Sequence, residues 1–156
     1  MLTDLFQAVR RDGASAATAL VTAPDINVRH DDGQNLLHTA IAYSNQSVIG
    51  ELLKLGIAVN AQDSKGQTPL HYAATYQNVD AAEQILSNGG DLSLVDVHGN
   101  SALWSAVFNA RGKYGVVNAL LRHSGKQFSA VKNKHGKSPV DFATQIGDKE
   151  LIALLE

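Results

Sequence analysis

Polar and apolar residues come in alternating blocks along this chain. Short polar segments around Gly33, Gly66, Gly99 and Gly136 each precede an apolar stretch: Leu36-Leu37-His38-Thr39-Ala40, Leu70-His71-Tyr72-Ala73-Ala74, Leu103 to Ala106, and Val140-Asp141-Phe142-Ala143. Further along three of these units lies an apolar pair, Leu52-Leu53, Ile85-Leu86 or Leu120-Leu121, and the chain closes on Leu151-Ile152-Ala153-Leu154-Leu155. Such pairs among polar neighbours form the buried stripe of an amphipathic helix. The pattern therefore predicts a turn and two helices in each unit. The four glycines are spaced by 33, 33 and 37 residues. Self-similarity at that period means stacked units, none of which buries its apolar face alone, and a core continuous along the stack.

Within a unit each position has a physical task. The glycine suits a tight turn with positive φ. Thr68 and Ser138 are placed to cap the first helix, and Pro69 and Pro139 follow at N1, where a missing N–H does no harm. Leu70, Ala73 and Ala74 then face inward, the alanines allowing close helix approach. Gly56 and Gly89 stand where a second helix would end in the left-handed conformation. Ahead of these units, Leu5, Ala8, Val9, Ala17, Leu20 and Val21 fall on the same frame and lead into Asp25-Ile26-Asn27.

The block Gly66-Gln67-Thr68-Pro69-Leu70-His71-Tyr72-Ala73-Ala74 resembles the ankyrin repeat, and the resemblance covers essentially the whole chain. It implies an all-α solenoid of about five helix-turn-helix repeats with short β-turn fingers and no conventional sheet. The repeats are expected at 1–29, 30–62, 63–95, 96–132 and 133–156, the first and last acting as caps. His38 and His71 occupy the position whose imidazole, in that family, bonds to backbone between units. The fourth unit departs from the pattern, with Trp104 at that position and four extra residues. Aligning Val117 to Leu121 with Ala82 to Leu86 puts two of them before the second helix and two after it. The first pair falls in Asn109-Ala110-Arg111-Gly112-Lys113-Tyr114-Gly115, a basic loop with one aromatic ring. Insertions in solenoids map to surface loops, often on a binding face, although drift would leave the same trace.

Composition narrows the function. The 156 residues are 44% apolar, suiting one soluble globular domain, and the absence of cysteine removes disulfides, thiolate nucleophiles and cysteine–zinc sites. That usage fits a reducing cytoplasm. No run approaches the ~18–20 apolar residues of a membrane span. Arg10-Arg11 before the stretch Ala14 to Ala23 faintly suggests an export signal, but Asp4 and Asp12-Gly13 interrupt it and its residues fit the repeat frame. The chain begins at methionine and ends after its last helix, which reads as a stand-alone protein.

Candidate chemistry is sparse. His30, His98 and His135 fall on fingers and His123 near the end of a second helix, and no pair has the spacing of a helical zinc site. There is no nucleophile elbow, phosphate loop or dinucleotide fingerprint. The expectation is no catalytic activity, no metal and no cofactor. A formal net charge of −2 without a basic stripe argues against nucleic acid. The charge is nevertheless divided. The second and third repeats hold seven acidic against two basic residues, whereas the fourth sets Arg111, Lys113, Arg122, Lys126 and Lys132 against Asp96. This is either a solvated surface segregated by sign or a patterned face that steers a partner.

In proteins of this family the partner sits on the finger tips and the concave side of the first helices. By position, that implies Asp31, Asp32 and Gln34, then Ser64, Lys65 and Gln67, then Val97, His98 and Asn100. Tyr43 and Tyr76, one period apart, are expected side by side and exposed on the concave face, with Trp104 and Phe108 in the next unit. Arg111, Lys113 and Tyr114 of the inserted loop complete the candidate set. Tyrosine and tryptophan give large contact area with few rotors to freeze. For Trp104, at a normally buried position, core packing is the expected role.

The resemblance implies a protein-binding module, monomeric when free. Among small bacterial examples one recurring role is immunity, in which the solenoid covers the active site of a toxin. An acidic concave patch with exposed tyrosines would suit a basic enzyme such as a nuclease. The alternatives are an adaptor or scaffold for a signalling or transcription partner and, last, an enzyme with an unrecognised site.

Overall fold

The computed structural model describes residues 2–11, 16, 19, 20, 22, 23 and 25–156. Ala17 and Val21 of the first-repeat frame lie outside these residues, as do Asp12 and Gly13 of the segment weighed as an export signal. Among the described residues there are nine helices: α1 (Leu2–Arg11), α2 (Leu36–Ala42), α3 (Gln46–Lys54), α4 (Pro69–Thr75), α5 (Val79–Ser87), α6 (Ala102–Phe108), α7 (Gly115–Ser124), α8 (Pro139–Ile146) and α9 (Lys149–Leu155). The first helices form one row, α1 on α2, then α4, α6 and α8, while α3, α5 and α7 form a second row behind it. The architecture is an all-α solenoid of sequential helix pairs, and one isolated antiparallel bridge, Val95 with Ser101, is the only β pairing among the described residues.

Each first helix starts where its cap residue dictates. Asn35, Thr68, Ser101 and Ser138 sit in extended backbone at the N-cap, and each side-chain oxygen accepts from the N–H three residues on. Satisfying one otherwise orphaned donor is worth about 1 kcal/mol per cap, which matters for helices of seven or eight residues that would not persist alone. Packing supplies the larger share. Leu36, Leu37, Leu70, Leu103 and Leu120 are fully buried, each worth roughly 1.5–3 kcal/mol in transfer. Phe6, Val9 and Leu20 extend the same core at the N-terminal end, with Leu5 packed against it. In the fourth unit Val116, Val117 and Leu120 are buried like Ala81, Ala82 and Ile85, the match that a two-residue insertion before α7 requires.

Fingers stack by backbone contact. The Ser64 N–H donates to the Asp32 carbonyl at 2.8 Å, Val97 to Lys65 at 2.9 Å and Lys134 to His98 at 3.0 Å. From the third unit on, one side chain braces each turn: Asp63, Asp96 and Asn133 each accept from two N–H groups of their own finger. The glycines at the tips are needed twice over. Gly66 has φ of +75°, and a Cβ there would lie 3.1 Å from Asp96 Cα of the next finger. Asn27 and Asn60 accept from the N–H groups of Ala58 and Asp91, 31 residues on in each case.

Two buried imidazoles tie the units together. In α2, His38 Nδ1 accepts from the Asn35 N–H at 3.1 Å and Nε2 donates to the Gln67 carbonyl at 2.8 Å. His71 repeats the arrangement with Thr68 and Asn100, the latter at 2.9 Å. Both rings are therefore neutral, with the proton on Nε2. Burial lowers the pKa of His38 to about 4 and lowers that of His71, outweighing the opposing effect of the carbonyl each ring meets.

Candidate functional site

The fingers and the exposed side of the first helices form one face, and the chain's period sets its chemistry. Tyr43 and Tyr76 each follow the last residue of a first helix, at α2 and α4, and are 55% and 53% exposed. They line a groove of about 300 Å³ together with Gln34, Gln67, Tyr72, Ala42, Thr75 and Arg10. Rings that large left half in water are costly to solvate and present accessible contact area. The Tyr72 hydroxyl donates to Asp63 Oδ2 at 2.9 Å, which fixes the ring in the groove floor. Burial, and then this bond to a carboxylate, pushes the Tyr72 phenol well above its ordinary pKa, so it stays protonated.

Arg10 and Tyr72 belong to this groove without having been singled out in the sequence. The guanidinium of Arg10 lies 5.6 Å from the centre of the Tyr43 ring, in cation–π contact. Arg10 precedes Tyr43 by the same interval that separates Tyr43 from Tyr76, so counting the period backwards through the first unit finds it. Tyr72 lies one helical turn before Tyr76 and its ring is tilted against it at 6.3 Å, a neighbour that i, i+4 spacing signals.

The finger residues divide into tips and braces. Asp31, Ser64, Lys65, Val97 and His98 are exposed. Asp32 is also exposed, but its carboxylate accepts from the backbone and side-chain N–H groups of Gln34. Asn100 is half-buried, and its Oδ1 accepts from the Asn133 amide of the next finger at 2.8 Å. The rings of His98 and His135 lie 5.8 Å apart on adjacent fingers.

Trp104 is half-buried rather than fully internal. Its ring stacks on Phe108 at 5.1 Å and meets Phe142 of α8 at 5.8 Å, and Phe108 meets Phe142 at 5.2 Å. Replacing histidine by tryptophan leaves the indole Nε1–H buried without an acceptor. The bond that His38 and His71 make to the next finger has no counterpart here, and tilted ring contacts of Trp104 and Phe108 with Phe142 connect α6 to α8 instead.

The inserted loop lies apart from the fingers, beyond the opposite ends of the first helices. Arg111 and Lys113 are exposed there. Tyr114 is instead half-buried, and its hydroxyl bonds both oxygens of Asp148 at 3.0 and 2.9 Å, which raises its pKa. Asp148 is the N-cap of α9, so this tyrosine staples the fourth helix pair to the last. Of the candidate set, Gln34, Tyr43, Gln67 and Tyr76 share one groove, Trp104 and Phe108 share a second cluster, and the loop residues join neither.

Among the described residues no three histidine, aspartate or glutamate side chains converge as a metal-binding group, and no helix is long and apolar enough to cross a membrane. What the fold defines is a helical repeat protein built of stacked helix pairs. The sequence matches the ankyrin repeat family, three copies, over residues 5–96 and 48–130, and the chain belongs to that family. Its members are generally binding modules for other proteins, without catalytic activity. No curated protein matches the chain.

Proposed function

We propose that this chain is a dedicated protein-binding module that acts in the cytoplasm, monomeric until it meets its partner. Its concave face covers a basic surface of a partner enzyme or toxin, in the manner of an immunity or inhibitor protein. The observation that carries this reading is the groove holding Tyr43 and Tyr76, bordered by the acidic fingers with Asp31, Asp32 and Asp63. Exposed tyrosines provide contact energy, and carboxylates around them select a cationic surface and speed its approach.

Affinity capture of the tagged protein from its native lysate, alongside Tyr43→Ala/Tyr76→Ala, tests this. The expected result is one dominant partner in stoichiometric amount, lost in the double variant. Both rings are half in water, so the variant keeps its fold. A partner retained by the double variant would remove the tyrosine groove from the interface. Several weakly held partners would favour an adaptor, the reading that the division of charge between the two halves of the chain also suits.

A further inference from the structure

We propose that the inner face carries a second docking shelf, formed by Phe108, Phe142 and Ile146 over Trp104, that takes a large apolar side chain from an acidic segment of the protein partner. The inference deepens the binding reading above and rests on the same face being used.

The shelf stands where the tyrosine groove would stand two units further along. Counted from the finger glycines, Phe142 occupies the position of Tyr72, Ile146 that of Tyr76 and Phe108 that of Thr75, all three of which line the groove. Phe108 is 49% exposed and Ile146 52%, so an apolar surface remains in water where the third unit places Thr75 and Tyr76. Stacking of Trp104 on Phe108 and the tilted contacts of both rings with Phe142 hold the shelf in one shape, which limits the entropy lost on binding.

Charge selects the occupant. Lys137 stands at the position of Gln67, and the exposed Lys132, Lys134, His98 and His135 lie on the adjoining fingers. Arg111 and Lys113 stand beyond the other end of α6. Two carboxylates lie nearby and keep their charge, Asp141, which accepts from the Ser138 N–H, and Asp148, which accepts from Tyr114 and the Leu151 N–H, but the cations outnumber them. The formal charge around the shelf is therefore positive, whereas the second and third repeats, which carry the tyrosine groove, hold seven acidic against two basic residues. A partner that fits both carries a cationic segment toward the first half and an acidic, apolar-anchored segment toward the second, and this polarity sets its direction along the solenoid.

Trp104 is the only tryptophan in the chain and reports directly on the shelf. Its fluorescence is titrated with three synthetic peptides: one rich in glutamate with one leucine and one phenylalanine, its lysine-for-glutamate counterpart, and an all-polar acidic control. The acidic apolar peptide is expected to give a saturable change, bind at least about tenfold more tightly than either other peptide, and weaken with salt. Phe108→Ala and Lys137→Glu should each weaken it about tenfold, while Tyr43→Ala/Tyr76→Ala leaves it unchanged. No saturable change, equal affinity for the lysine peptide, or indifference to Phe108→Ala would overturn the shelf. Self-association on sedimentation that Phe108→Ala abolishes would also overturn it, in favour of a second copy. If the captured partner is lost with the tyrosines yet indifferent to Phe108→Ala and Lys137→Glu, the binding reading stands and the shelf falls. If the peptide binds as expected while the tyrosines prove dispensable, the shelf stands and the groove assignment falls.

Discussion

At the scale of single residues, His38 and His71 make the fold sensitive to acid. Each Nδ1 receives a backbone N–H, so protonation there would set donor against donor in a buried site. An unfolded histidine titrates at 6.5, whereas folded His38 titrates at about 4. Between these values the unfolded chain binds the proton and the folded chain does not. Stability is thus fully present above pH 6.5 and is lost as pH falls toward 4, on the order of 3 kcal/mol from His38 alone. Urea midpoints measured from pH 7.5 to 4.5 should fall with a slope approaching two protons, and a flat profile would refute the neutral, buried assignment. The sequence carried this pair plainly, because their spacing equals the repeat. It did not carry the fate of Trp104: one substituted ring can enter a core or stack sideways, and only the presence of Phe108 and Phe142 within reach decides that.

At the scale of the element, the finger shows how a local conformation and a neighbour contact add. Gly66 and Gly136 have φ of +75° and +72°, so alanine at either position meets the same left-handed penalty, about 1–2 kcal/mol. They differ in what lies beyond. A Cβ on Gly66 crowds the backbone of Asp96 and Val97, whereas one on Gly136, in the last finger, meets nothing within 4 Å. Gly66→Ala should therefore cost about 1–3 kcal/mol more than Gly136→Ala, the usual toll of overpacking. Equal losses in denaturant melts would show that fingers do not bear on one another. The glycines were legible from the sequence as turn residues. Their second role was not, since it depends on finger-to-finger distance.

At the scale of the whole molecule, stability is the sum of units and their interfaces. Leu70 lies in the middle of the stack and Leu151 in its final pair, and both are fully buried. Leu70→Ala should cost about 2–5 kcal/mol and shift helix content and Trp104 fluorescence together. Leu151→Ala should loosen α8 and α9 first. Trp104 touches Phe142 of α8, so its fluorescence would then change at lower urea than the helical signal. Coincident transitions in Leu151→Ala would mean that the stack unfolds as one unit.

The sequence by itself determined the period, the helix pairs and the caps, and its resemblance to the ankyrin repeat implied the bridging histidines and the exposed register of Tyr43 and Tyr76. All of these depend on residues within one turn of each other or at a fixed repeat distance. Only the tertiary structure decided that Arg10 covers Tyr43, that Tyr114 is drawn onto Asp148, and that Trp104, Phe108 and Phe142 form one ring cluster. Those outcomes join side chains of different units, and they turn on side-chain reach and on the packing of neighbouring helices, which no local pattern encodes.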